Sequence, residues 1–346
     1  MFSNRSLIAA SAAAAVAVAG LGSAQPYTQV ADLPTLLDPG TSGFLDTVAV
    51  DGDEFYVFGR SFGSVVGSGD SLTKFDAALT PTVLINDTEW GNAASNQLAG
   101  FYGARVVGDN IVFVNFFDNT VYSVNKNSGA ISTVAAPAGT NLTSNNAVAS
   151  DGTVYAYDGT ADEILAISPG GVVTTAVTNA TLTSGLGTDL VSGGFEVVGT
   201  DLYVARDSTN AIIAFDLTSP GDFSTVIDAS AVETVTVDSD GDIDFEDIFF
   251  APDGLVYFFE DDSDAIISFD PANPAGTVTQ VLSLEQLNAG PGTSNVDQFG
   301  WYDGQLAWTD QDDRNDAGGF FVVPEPATAA LLAIGAGLIA VRRRRA

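Results

Sequence analysis

Between residues 44 and 323 one phrase recurs six times, and no other feature restricts the fold as strongly. It consists of an apolar strand, a turn with Asp-Gly or an equivalent, a strand carrying an aromatic, an acidic turn, and a second apolar alternating strand. The aromatic-bearing phrases are Asp51–Phe58, Asp109–Val114, Asp151–Tyr157, Gly199–Val204, Asp253–Phe258 and Asp303–Trp308. The strands that follow are Ser71–Asp76, Thr120–Asn125, Glu163–Ser168, Ala211–Asp216, Ala265–Asp270 and, more weakly, Gly319–Val323. A fourth strand often follows, as at Pro81–Ile85, Ile131–Val134, Val172–Val177, Ser224–Ile227 and Val278–Leu282. The phrases start 58, 42, 48, 54 and 50 residues apart. Four short antiparallel strands joined by Gly, Asn and Asp turns fill such a span. Four-stranded repeats near this period read as propeller blades. One blade cannot bury both of its apolar faces, so the closed ring supplies the core.

The expected fold is therefore all-β, a six-bladed β-propeller. A seven-bladed ring is the alternative, because the 58-residue first interval has room for extra strands. The last unit lacks a fourth strand before Pro324, and Tyr27–Leu33, ahead of the first unit, can supply it. Closing the ring with N-terminal sequence leaves no open edge. The phrasing resembles six-bladed propellers of the NHL and gluconolactonase-like kind. The latter resemblance implies a divalent cation in the central channel, held by Glu, Asn and Asp. Asp46, Asn145, Asn146, Glu196, Asp247 and Asp297 open the inner strands here and are the candidates for facing that channel.

Both ends read as addresses. Arg5 supplies a positive start, Leu7–Leu21 is apolar or small, and Gly22, Ser23 and Ala24 form a cleavage site. Residues 1–24 are expected to be a secretory signal peptide cut after Ala24. At the other end Pro324, Glu325 and Pro326 precede an uncharged run from Ala327 to Val341, followed by Arg342, Arg343, Arg344 and Arg345. Such a run makes a helix of about 22 Å at 1.5 Å per residue, short for a hydrocarbon core of about 30 Å. Arginine snorkelling and local thinning let it span as a transient inner-membrane anchor, with the arginines on the cytoplasmic side. This tail resembles the PEP-CTERM sorting signal of exported bacterial proteins. The resemblance implies recognition by an exosortase, cleavage near Pro324–Pro326, and delivery to the cell surface or extracellular matrix. The expected organisation is a signal peptide (1–24), a β-propeller (25–323) and a sorting signal (324–346).

Composition narrows the chemistry. The chain has no Cys and no His, 44 acidic and 11 basic residues, and a formal charge of −33. A Ser-His-Asp triad, a Cys nucleophile, a thiolate or imidazole metal site and a disulfide framework are all excluded. Hard oxygen-binding cations, chiefly Ca²⁺, remain. Strong acidity repels phosphate, so nucleic acid is not an expected partner. One acidic run carries alternating carboxylates: Asp238, Asp240, Asp242, Asp244, then Asp247. It resembles the start of an EF-hand or dockerin-type loop, although its glycine, Gly241, comes at position 4 rather than 6. These five are the candidate Ca²⁺ ligands, and a solvated acidic loop is the alternative. Phe245, Ile248, Phe249 and Phe250 read as the inner strand of the next blade. No catalytic pair is marked out by spacing, and there is no G-x-S-x-G elbow, P-loop or dinucleotide fingerprint. Trp90, Trp301 and Trp308 are either core residues or sugar-stacking platforms. The expected function is that of an exported surface or matrix propeller, stabilised by calcium, which binds exopolysaccharide or a surface protein. Its other partners are the secretion machinery and an exosortase. The alternative is a divalent-metal propeller hydrolase of the lactonase kind.

Overall fold

Each repeat phrase folds into the strands it encodes, because two-residue turns reverse the chain at the positions the sequence punctuates. In the computed structural model, Gly52, Gly108 and Gly199 open two-residue loops with φ near +60°, as a type II′ turn requires of its first residue. The described residues are 27–32, 43–61, 71–93, 103–186, 194–206, 210–219, 221–236, 245–260, 263, 265–288, 296–310 and 319–323.

The described chain opens with β1 (Thr28–Asp32). Blade one follows as β2 (Gly43–Asp51), β3 (Glu54–Ser61), β4 (Ser71–Phe75) and β5 (Pro81–Ile85). Blade two is β6 (Arg105–Val107), β7 (Asn110–Asn115), β8 (Thr120–Asn125) and β9 (Ile131–Ala135). Blade three is β10 (Leu142–Val148), β11 (Val154–Asp158), β12 (Glu163–Ile167) and β13 (Val173–Val177). Blade four is β14 (Phe195–Val198), β15 (Asp201–Arg206), β16 (Ala211–Asp216) and β17 (Phe223–Asp228). Blade five is β18 (Phe245–Phe250), β19 (Val256–Glu260), β20 (Ala265–Phe269) and β21 (Thr279–Leu282). Blade six contains β22 (Val296–Tyr302), β23 (Gln305–Asp310) and β24 (Gly319–Val322), and β1 completes it as the outermost strand. The ring has six blades, not seven, and the N-terminal strand closes it as the sequence leads one to expect. The pairing of β1 with β24 is antiparallel, with Thr28 opposite Val322.

Burial grades from the axis to the rim. The second strands are buried on both faces, as in β7 and β19, whereas the outer strands β5 and β13 expose their first three residues. The core is therefore six interfaces between neighbouring blades. Between blades one and two, for example, Tyr56, Phe58 and Leu72 meet Ile111, Phe113 and Tyr122. Across the closure, Phe55 of blade one stacks on Phe75 and Phe320, with centroids 4.9 and 4.5 Å apart.

The connections from one blade to the next hold short capped helices that strand periodicity does not reveal. In α1 (Asp87–Ala93), Asn86 Oδ1 accepts from the Thr88 and Glu89 N–H groups while Glu89 Oε2 accepts from the Asn86 N–H, a capping box. Trp90 of this helix is buried between blades one and two, so it is core rather than a sugar platform. The later helices are α2 (Asn179–Leu186), α3 (Ala229–Val232), α4 (Pro274–Thr277), which is uncapped and lies inside blade five between β20 and β21, and α5 (Leu284–Asn288). Ser283 and Gln286 repeat the capping box at α5. Among the described residues no helix is long and apolar enough to cross a membrane. The expected signal peptide and the expected sorting helix lie outside the described residues.

Candidate functional site

The inner strands of all six blades surround a central cavity of about 410 Å³. Most of its wall is apolar, including Val48, Val148, Ile248 and Phe299. Trp301 stands half-buried in the same wall, and Trp308 is fully buried behind it.

The polar groups of the wall bind across the seams between blades. Gln298 Oε1 accepts from the Val48 N–H at 3.0 Å, joining blade six to blade one. Asp247 Oδ2 accepts from the Phe299 N–H at 2.9 Å, joining blade five to blade six. Glu196 Oε2 accepts from the Phe250 N–H at 3.3 Å, joining blade four to blade five. Glu196 Oε1 takes the Val197 N–H at 2.8 Å and the Arg105 guanidinium at 3.2 Å. Arg105 also donates to the Val148 carbonyl at 3.1 Å. Burial pushes the Glu196 carboxyl above the ordinary range, opposed by Arg105 and by the two main-chain N–H donors. These side chains form a girdle that satisfies seam amides which have no ladder partner of their own.

Of the residues expected to face the channel, Glu196 and Asp247 do line it. Asn145 and Asn146 are buried in β10, where Asn146 Nδ2 donates to the Ser144 carbonyl. Asp46 and Asp297 lie on β2 and β22, and their side chains are outside what is described. Asp238, Asp240, Asp242 and Asp244 also lie outside the described residues. Asp247 sits inside strand β18, 5% exposed, rather than in an exposed loop. Among the described residues no three acidic groups come together in a way that holds a metal ion. In the Glu260–Asp264 turn, Glu260 is buried and its carboxylate accepts from both the N–H and the hydroxyl of Ser263. Sequence reading did not single out Arg105 or Gln298. Arg105 is one of only six basic residues between positions 25 and 323, and that scarcity was the available signal.

A second site lies where the chain leaves blade six. Phe321 and Val322 of β24 are buried, Phe321 stacks on Trp308 at 5.5 Å, and the Val323 N–H donates to the Leu306 carbonyl. Tyr27 packs edge-on against Trp308 and Phe321 and donates its hydroxyl proton to the Leu287 carbonyl.

Residues 322–345 match the PEP-CTERM protein-sorting motif. The chain matches no curated protein sequence. Several solved structures share its fold. A calcium-binding protein, regucalcin, from Agrobacterium tumefaciens superposes with a TM-score of 0.53 at 13% identity, over 86% of this chain and 94% of its own. A luciferin-regenerating enzyme gives 0.52 at 9% identity, over 86% and 96%. A streptogramin B lyase gives 0.50 at 12% identity, over 86% and 97%. At these identities the likeness is one of fold. The chain is a six-bladed β-propeller that carries, from the last residue of its closing sheet onward, the PEP-CTERM signal recognised by exosortases.

Proposed function

We propose that this protein is an exported propeller whose tail is severed near Pro324, Glu325 and Pro326, and that the released body serves at the cell surface or in the extracellular matrix as a binding or structural module. Residues 1–24 direct export and leave after Ala24. Residues 324–346 anchor the protein briefly in the inner membrane, with Arg342, Arg343, Arg344 and Arg345 on the cytoplasmic side. The observation that carries this reading is the position of the sorting motif, which begins at Val322 in the closing strand. Every strand of the ring except the last residue of β24 thus precedes the motif.

The binding role is supported by the channel. Glu196, Asp247 and Gln298 direct oxygen atoms at main-chain N–H groups of neighbouring blades, and apolar side chains fill most of the remaining wall. A hydrolase would need carboxylates turned toward a substrate or a metal. The ligand class that suits the setting is the exopolysaccharide or a surface protein. Ca²⁺ held by Asp238, Asp240, Asp242 and Asp244 would stabilise the segment ahead of β18, since alternating carboxylates supply the hard oxygens this ion prefers. Asp247 stays with Phe299 in this reading. The test uses tail-processed protein from culture medium. It should co-sediment with the exopolysaccharide of the producing cells and turn over no lactone or glycoside in the presence of Ca²⁺. Turnover that disappears on chelation would instead establish the metal-hydrolase reading. Titration calorimetry without heat on Ca²⁺ addition would remove calcium from the account.

A further inference from the structure

The described chain ends at a defined face of the ring. Strands β22 and β24 run the same way, so Val323 emerges on the face that carries the Asp303–Gly304 turn. The turn residues 76–80 and 270–278 of blades one and five lie on that face too, and β1 starts there opposite Val322. The connections holding α1 and α5 lie on the opposite face. The wall of the central cavity runs out to Asp51, Gly52, Pro252 and Trp301, which places its mouth on the exit face.

Only Pro324, Glu325 and Pro326 separate Val323 from the apolar run that starts at Ala327. At ~3.3–3.6 Å per residue, four steps reach at most about 14 Å. Crossing the blade to the other face takes the length of β22, seven residues, which at about 3.4 Å each is more than 20 Å. The tether is too short for the far face to meet the membrane beside blade six.

We propose that, while its tail is still attached, the propeller is held with its turn face, and with it the mouth of the central cavity, against the lipid headgroups. Cutting the tail uncovers the cavity, so sorting also governs when the cavity can take a ligand. This rests on the reading of residues 324–346 as a membrane-anchoring signal. Asp76, Asp216, Asp253 and Asp303 crowd the same face, where Asp51 is paired with Lys126, and anionic headgroups repel the other four carboxylates. The contact is therefore imposed by the tether and not by attraction.

The chain has no cysteine, so single labels are clean. Ala77→Cys and Ala272→Cys place a fluorophore at exposed positions of the turn face, and Ala161→Cys and Glu285→Cys do so on the other. Residues 25–346, with the tail intact and the signal peptide removed, would be reconstituted into phosphatidylethanolamine–phosphatidylglycerol vesicles containing a headgroup-located quencher. Flotation is scored first, because a chain that does not float with the vesicles overturns the anchoring reading itself. In the floated protein, quenching at positions 77 and 272 should be several-fold stronger than at 161 and 285. Equal or reversed quenching overturns the proposed orientation while leaving anchorage intact. A Gly-Ser spacer of about ten residues inserted after Val323 roughly triples the reach and should erase the difference. If the difference survives the spacer, the short tether is not its cause and the proposal fails.

Discussion

Arg105 and Glu196 show what a single residue does in the channel wall. Glu196 is almost wholly buried, and its charge is tolerated because a guanidinium and two main-chain N–H groups face it. Arg105→Met leaves that carboxylate without its counter-ion. A buried pair broken in this way costs ~3–5 kcal/mol, and the partial exposure of Arg105 lowers the expectation to about 1–3 kcal/mol. Burial raises the folded-state pKa of Glu196 above its ordinary value of 4.5. The folded variant thus binds a proton more tightly than the unfolded chain, and stability lost at neutral pH returns as pH falls through the raised folded value toward 4.5. Urea titrations of Arg105→Met across that range should show its deficit shrinking; a deficit independent of pH would exclude the uncompensated carboxylate as the cause. Asp76 and Asp216 have the opposite sign. Asp76, just after β4, accepts the Thr80 and Ala78 N–H groups, and Asp216, at the end of β16, accepts the Thr218 hydroxyl and the Thr218 and Ser219 N–H groups, which lowers each carboxyl pKa. Their contribution is complete above the unfolded value of 3.8 and disappears as pH falls through the lower folded value. Asp76→Asn combined with Asp216→Asn should flatten the stability profile in that acid window and leave the neutral profile nearly unchanged in shape.

Among elements, the outer strands pose the problem of edges. Their backbone could pair with other chains, and the turn of the next blade covers part of it. Gly129 and Gly171 press against the carbonyl oxygens of Leu84 and Val134, where an added Cβ would lie 2.1 and 2.4 Å away. Both also have positive φ. Gly129→Ala or Gly171→Ala should therefore cost about 3 kcal/mol or more, since strain and overlap combine. Gly108→Ala, with a similar φ but open space around it, should cost only about 1–2 kcal/mol. Equal losses in chemical denaturation would mean that the edge contact is unimportant. The strands themselves were legible in the sequence because their phrases recur and local turn chemistry marks their ends. The short helices between blades were less so, since stretches of four to eight residues carry little helical period; the Asn86–Glu89 and Ser283–Gln286 capping boxes were the readable trace. The seam contacts of Gln298 and Asp247 were not legible, because each partner is about 50 or more residues away and only the finished register brings them together. Alternation of acids made Asp247 look like part of the preceding loop, whereas its strand turns it inward.

At the scale of the whole molecule, closure by β1 unites the two ends of the propeller. Tyr27 sits 1% exposed between Trp308, Phe321 and Leu287, so it locks the first described residues onto the last blade. Tyr27→Ala should cost about 3–5 kcal/mol, as for other large buried aromatics, whereas Tyr27→Phe should lose only about 1 kcal/mol with the hydrogen bond. Limited proteolysis of the alanine variant should cut first in blade six; cutting spread evenly around the ring would contradict a closure role. That closure was foreseeable from the missing fourth strand before Pro324, since an open ring would leave an exposed edge. The central claim concerns processing, and intact-mass spectrometry of the native protein from cell-surface and extracellular fractions tests it most directly. The account predicts a chain that has lost Arg342, Arg343, Arg344 and Arg345 and ends close to Pro324–Pro326. A chain retaining all four arginines and recovered from the cytosol would contradict it.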